Sequence, residues 1–259
     1  MIPRRGGPVL PPPANHRPVL DAIRQRNPKR SIPAILFYDF CHTVCWLMLL
    51  IFFRLRVWGQ HNMPRTGPFI VAVNHQSHLD PMIAGMATRG RHLNFIARST
   101  LFGNPLFGKL IGLLNSVPLN QNAPDTQAIR TCIEQLGMGR AVLIFPEGSR
   151  TKDGAMHPFK KGVWLLLSRA KCPVLPVAIE GAYDAWRRGE SRPKLLGQRV
   201  SAMVGAPIAA ETLLAMGHEQ GLRHLRATIE GMRVQLAEKF EQAGHPLTTK
   251  PASDLDEPD

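Results

Sequence analysis

Cysteine is scarce in this chain. Cys41, Cys45, Cys132 and Cys172 are four among 259 residues, with no C-x-x-C pair and nothing like the density of a disulfide-stapled secreted domain. They read as reduced, packed residues of a cytosol-facing protein, although Cys41 and Cys45 also have the i, i+4 spacing of a reactive or metal pair. Acidic residues are scarce too: 19 against 32 Lys and Arg, a formal net charge of +13. The partner is therefore acidic, which nucleic acid and an anionic lipid surface both satisfy. Only two tyrosines are present and no RNA-binding motif, which argues against nucleic acid. There is no G-x-S-x-G elbow, and no cysteine has a histidine at a recognisable spacing. No protein nucleophile is evident.

Long apolar runs are missing with one exception, Ala34 to Phe53, interrupted by Asp39, His42 and Thr43. It is long enough to cross a bilayer. Arg30 precedes it and Arg54 and Arg56 follow it, so basic flanks give no orientation. Asp39 is costly at mid-membrane and tolerated at an interface. An embedded or re-entrant anchor thus stands beside a full span, with a buried core helix as the bland alternative. The distance from Met1 and the lack of a small-residue cleavage site before Arg54 argue against a secretory signal.

Four segments follow from composition. Residues 1–33, with Pro3, Pro8, Pro11, Pro12, Pro13, Pro18, Pro28 and Pro33 among Arg4, Arg5, Arg17, Arg24, Arg26, Lys29 and Arg30, read as a basic arm that is disordered, or ordered only against lipid. A basic arm beside an apolar segment favours a membrane. Residues 34–56 form the anchor and 57–243 an α/β domain. Residues 244–259, ending in Asp254, Asp256, Glu257 and Asp259, form an acidic disordered tail.

Within the domain, short apolar runs predict buried strands at Phe69 to Val73, Leu93 to Ala97, Ala141 to Phe145, Val174 to Ile179 and Val200 to Val204. Helices are predicted from Pro81, over Pro105 to Leu114, Asp125 to Leu136, Lys161 to Arg169, and Gly221 to Glu241. In the last of these, Leu222, Leu225, Ile229, Met232, Leu236 and Phe240 recur at three- and four-residue spacing. The alternation predicts an α/β fold, a mixed, mostly parallel sheet flanked by helices, with an N-terminal membrane-associated helical segment.

Two blocks carry chemistry. In Asn74-His75-Gln76-Ser77-His78-Leu79-Asp80, a strand precedes His75, and Asp80-Pro81 resembles an N-cap with proline at the first helical position. A turn can bring the Asp80 carboxylate to one imidazole nitrogen, fixing the tautomer while the other nitrogen accepts a proton. Asp80 as a plain N-cap and His75 as a core residue are the bland readings. His75, His78 and Asp80 as metal ligands is a third, but H-x-x-H-x-D is not a spacing that completes a known site, and no metal is expected. In the second block, Phe145-Pro146-Glu147-Gly148-Ser149-Arg150, Gly148 lets the backbone approach an anion. Arg150 offers bidentate contact to phosphate, or simply pairs with Glu147. Lys160 and Lys161 follow at a helix start, and each reads more simply as solvated. With a base and no protein nucleophile, the hydroxyl to be activated belongs to a substrate.

These blocks resemble the glycerolipid acyltransferase family typified by 1-acyl-sn-glycerol-3-phosphate acyltransferases. N-H-Q-S-H-L-D contains an H-x-x-x-x-D motif, and F-P-E-G-S-R is similar to F-P-E-G-T-R. Ala97-Arg98 through Leu101, Pro105, Gly108 and Gly112 resembles the family's second block, and Val174 to Ile179, with Pro176, its fourth. The match covers about residues 58 to 210. The resemblance implies that His75 is the general base and Asp80 its orienting partner. It assigns Glu147, Gly148, Arg150 and Arg98 to binding the acceptor, without a cofactor. Acyl-CoA or acyl carrier protein would supply the acyl group, a lysolipid would accept it, and the enzyme would sit on the cytoplasmic membrane face, the inner membrane if bacterial. There are departures: Arg98 stands where many members have lysine, and Asn120 where the family often has an arginine. Lysophosphatidate is the first-choice acceptor, with another lysolipid, such as an amino-acid-linked lipid, as the alternative. A non-catalytic membrane lipid-binding protein is the reading from a different class.

Overall fold

Phe69–Val73 contains no charged or polar residue and is buried at every position, as a central strand covered on both faces must be. The computed structural model of the protein describes residues 18–119 and 125–249. In it, seven strands form one sheet: β1 (Arg56–Trp58), β2 (Phe69–Val73), β3 (Leu93–Arg98), β4 (Ser116–Leu119), β5 (Ala141–Ile144), β6 (Val174–Glu180) and β7 (Ser201–Val204). Their order is β1-β7-β6-β2-β5-β3-β4. Every neighbouring pair is parallel except β6 with β7, where Ile179 lies beside Ala202. The expected mixed, mostly parallel sheet is present.

Helices cover both faces. On one, Leu49 and Phe53 of α2 (Ile32–Phe53) and Ile83 of α3 (Asp80–Ala87) pack on Phe69, Val71, Val73, Leu143 and Val177. On the other, α5 (Asp125–Gly137), α6 (Lys161–Ala170) and the long α9 (His218–Gln242) bury Ile129, Leu166, Leu225, Ile229 and Leu236 against Ile70, Ala72, Val142 and Ala178. Alternate residues of β2 thus enter opposite layers, the period-two consequence of the pleat. The remaining helices are α1 (Pro18–Arg26), α4 (Pro105–Leu113), α7 (Ala182–Trp186) and α8 (Ala210–Ala215).

The strands expected from apolar runs are present, and two more are added. β1 has three residues and β4 carries Pro118 on the outer edge of the sheet, where a missing N–H is tolerated. Neither is apolar or long enough to stand out as a run. A larger difference concerns residues 18–33, expected to be disordered or ordered only against lipid. They are ordered here, because their cations find fixed acceptors. Arg26 donates to Asp39 of α2 at 2.5 Å, and the Arg26 carbonyl accepts from His92 N–H at 3.0 Å. Arg140 Nε donates to the Pro28 carbonyl at 3.0 Å and Arg30 to that of Gly112 at 3.1 Å. Composition registers the charges and not the carbonyls that receive them. The start of the tail also differs. Thr248 N–H donates to Asp184 at 3.0 Å, and Thr249 Oγ1 to Glu180 at 2.9 Å. The rest of the arm and tail lies outside the described residues.

α2 is the one helix among the described residues long and apolar enough to cross a membrane. Ile35 and Tyr38 near one end and Leu49 and Phe53 near the other are buried against the protein. Leu36, Phe40, Val44, Leu47 and Ile51, at three- and four-residue spacing, are exposed. Asp39 faces inward: it accepts from Arg26 and also binds His92 Nε2 at 2.9 Å.

Candidate active site

β2 ends at Val73, and a set of buried hydrogen bonds shapes the turn that follows. Asn74 is clamped to β6: its Nδ2 donates to the Ile179 carbonyl at 2.9 Å, and its Oδ1 accepts from Ile179 N–H at 2.8 Å. This pair fixes the direction in which the chain leaves the sheet. His75 N–H then donates to Glu147 Oε1 at 2.7 Å, and Thr151 N–H donates to the His75 carbonyl at 2.9 Å. The loop after β5 is thereby bonded to the turn after β2. The two sequence blocks meet at the carboxyl ends of adjacent parallel strands, where open α/β sheets place ligands.

Asp80 is fully buried at the start of α3, with Pro81 in the first turn. Its Oδ2 lies 2.8 Å from His75 Nδ1 and accepts Gln76 N–H at 2.6 Å and Ser77 N–H at 2.7 Å. With Oδ2 already accepting two backbone N–H groups, its contact with the ring is made by Nδ1–H as donor, which assigns the tautomer. Nε2 is then the lone-pair nitrogen. Among the described residues it has no hydrogen-bond partner, and the side chain keeps 17 % of its surface accessible. The ring lies flat on Phe145, centroids 3.8 Å apart and planes 12° apart. Held by a carboxylate at one edge and a ring on its face, His75 can accept a proton at a defined point in space. The five-residue spacing works because residues 76–79 curl in a turn and are not helical.

Glu147, expected among the acceptor-binding residues, is 4 % exposed. One oxygen accepts from His75 N–H and the other from His157 N–H at 3.0 Å. Burial pushes its carboxyl above the usual range, against the pull of these two bonds and of Arg233 and His75. This geometry makes Glu147 a strut between the β2 and β5 loops. Gly148 has φ +73°, in the left-handed region, and a Cβ there would come within 3.2 Å of the Lys160 side chain. Arg150, partly buried, sits between Glu147 and Thr151, which grip His75. It is near enough to His78 to add to the desolvation that lowers the His78 pKa. His75, Asp80, Glu147, Gly148 and Arg150 therefore converge. Arg98 closes β3, a neighbour of β5, and its side chain lies outside what is described. So does Asn120.

Ser77 and Trp186 were not singled out by sequence, and they carry the far wall. Ser77 Oγ donates to the Trp186 carbonyl at 2.7 Å, and the His78 ring tilts over the Trp186 indole at 4.7 Å. Asn74 stood inside the first block, where only its spatial tie to Ile179 reveals its part. Among the described residues, no three His, Cys, Asp or Glu side chains are grouped to hold a metal ion. Asp80 Oδ2 is taken up by the imidazole and two amides.

A carboxylate-oriented imidazole thus stands beside a glycine- and arginine-bearing loop at the carboxyl edge of a mostly parallel sheet. Residues 54–180 match the family model described as Acyltransferase. A chloroplastic 1-acyl-sn-glycerol-3-phosphate acyltransferase of Brassica napus is 32 % identical over 58 % of this chain and 46 % of its own length. The chain spans about half the length of the first such relatives. The 1-acyl-sn-glycerol-3-phosphate acyltransferase of Bacillus subtilis is 27 % identical over 79 % of this chain and 99 % of its own. The crystal structure of the 1-acyl-sn-glycerophosphate (LPA) acyltransferase PlsC from Thermotoga maritima has the same fold. Its TM-score is 0.67 at 24 % identity, covering 84 % of this chain and 86 % of that one.

Proposed function

We propose that this protein moves a fatty acyl group from an acyl thioester to the free hydroxyl of a lysolipid, 1-acylglycerol-3-phosphate being the first choice. The observation that carries the reading is the 2.8 Å contact between His75 Nδ1 and Asp80, which leaves Nε2 as the open lone pair. The names of the relatives support the acceptor. The hydroxyl lies against Nε2 and the headgroup phosphate against Arg150, beside the Gly148 turn. As the hydroxyl oxygen attacks the thioester carbonyl, Nε2 takes its proton, and Asp80 stabilises the imidazolium. The tetrahedral intermediate collapses with cleavage of the C–S bond. The departing thiolate recovers the proton from Nε2, giving ester and free thiol. Holding both substrates at one turn adds the advantage of proximity.

The lysolipid reaches this turn from a membrane. α2 is held along its length by the domain, with Ile35 and Phe53 both buried, and it bares an apolar stripe on the other side. That arrangement favours a helix embedded in one leaflet over a helix that leaves the protein to cross the bilayer. The cytoplasmic face is the side where acyl-CoA and acyl carrier protein are found. Mass analysis of products from a panel of lysolipids and both thioester types tests the proposal. Acylated lysophosphatidate is expected, and it disappears with His75→Ala. Near-normal transfer by a folded His75→Ala variant sinks it.

A further inference from the structure

The topology brings a second concave surface to the same end of the sheet as His75. β2 and β6 run parallel, with Val73 beside Val177, while β7 runs against β6, with Ser201 beside Glu180. The carboxyl end of β6 and the amino end of β7 therefore open where the 74–80 turn opens. β7 lies two strands from β2, ~10 Å in the plane of the sheet. β1 is parallel to β7, with Arg56 beside Ser201, so the chain leaving α2 arrives there as well.

At this end, between α7, the 187–199 connection and the segment after α9, lies a cavity of about 370 Å³. That is the size of a small-molecule site. Arg187, Lys194 and Arg199 line it, and a shallower cleft sharing Arg199 continues to Arg54, Arg56 and Lys239. Asp184 is the lining carboxylate, and it accepts from Thr248 N–H and Thr248 Oγ1. Glu190 bridges Arg187 and Lys194 at 3.3 Å from each. Cations still outnumber carboxylates along the two clefts, and the buried Nε of Arg199 has no hydrogen-bond partner among the described residues. The cavity wall is bonded to the turn that holds His75. Ser77 pairs with Arg187, and its Oγ donates to the Trp186 carbonyl.

We infer that this cavity holds the nucleotide phosphates of the acyl donor, coenzyme A, an inference that rests on the acyl-transfer reading above. Coenzyme A carries a diphosphate and a 3′-phosphate on one adenosine, a compact cluster of negative charge suited to guanidinium and ammonium donors. Its thioester stands at the far end of a pantetheine arm, which would run from the cavity past the Ser77–Trp186 contact toward His75. Shape separates this from the other acidic partners. A nucleotide enters a concavity of this volume, whereas a bilayer or a carrier protein meets a broad surface.

The test uses the full chain in detergent, with labelled coenzyme A in equilibrium dialysis and with acyl-CoA, acyl-carrier-protein and lysolipid titrations of turnover. Lys194→Ala combined with Arg199→Gln should weaken coenzyme A binding by ~10-fold or more, as expected for losing charged hydrogen bonds. It should raise the KM for acyl-CoA equally, leaving kcat and the KM for lysolipid in place. Arg199→Lys should retain most of the binding. If the double variant does not fold, Lys194→Glu at its half-exposed position gives the same reading. Unchanged coenzyme A binding overturns the inference. So does a loss confined to acyl carrier protein turnover, or one confined to binding anionic vesicles. A wild type that binds coenzyme A through these residues but transfers no acyl group refutes the proposed reaction and leaves the cavity assignment standing.

Discussion

The turn at residues 74–80 and helix α2 are held on opposite terms. In the turn, Asn74, Ser77 and Asp80 direct their hydrogen bonds inward, to Ile179, Trp186, His75 and two backbone amides. α2 is satisfied on one side only: Ile35, Leu49 and Phe53 are buried, while Phe40 and Ile51 are 65 % and 67 % exposed. A contiguous apolar face of this kind on a soluble protein marks a contact with something equally apolar. The turn is thus defined by the protein alone, and α2 only with its surroundings. The proposed chemistry sits in the first, and delivery of the lipid in the second.

The largest effect expected is at the turn. His75→Ala should lower turnover by ~10² to 10⁴-fold, the range for a lost general base, with the melting temperature and vesicle binding unchanged. A variant that also leaves the vesicle would dissolve the distinction between the two regions. Next comes the inner face of α2. Phe53→Ala should cost ~3–5 kcal/mol in denaturant titrations, whereas Ile51→Glu on the outer face should leave stability within about 0.5 kcal/mol and release the protein from vesicles in flotation assays. Equal destabilisation by both would show that the outer face is also packed.

Asn74→Ala should cost ~1–3 kcal/mol by stranding the buried Ile179 N–H. It should lower kcat more than it raises KM, since the turn would lose its anchor on β6. The smallest effect concerns pH. Burial raises the Glu147 carboxyl, so the folded state holds that proton more tightly than the unfolded chain. The associated stability is present below the ordinary carboxylate range and is lost as pH rises through the raised value. Glu147→Gln, which cannot titrate, should flatten that part of the decline in thermal melts run from about pH 4 to 8. An identical slope in both proteins would mean that Glu147 titrates normally.

Much of this was legible in the sequence, for definable reasons. Phe69–Val73 and the Leu222 to Phe240 stripe follow from periodicity, a local property. His75 and Asp80 were readable as a pair because the turn that joins them is short. The family resemblance places Glu147 at the acceptor site. Its hydrogen bonds here, from the amides of His75 and His157, are set by the pairing of β2 with β5, which no residue pattern displays. The ordering of residues 18–33 was hidden for the same reason, as Arg26 meets Asp39 and His92 across 13 and 66 positions.

Gripped between Arg26 and His92, Asp39 prevents α2 from rolling about its axis, so the apolar stripe has a single bearing relative to His75. A free span adjusts its tilt to the thickness of the bilayer it crosses. A helix clocked by its own protein does not, and on the proposed reading the height of His75 above the hydrocarbon becomes a fixed dimension of the protein. Lipids of different chain length would then meet the same imidazole at the same depth.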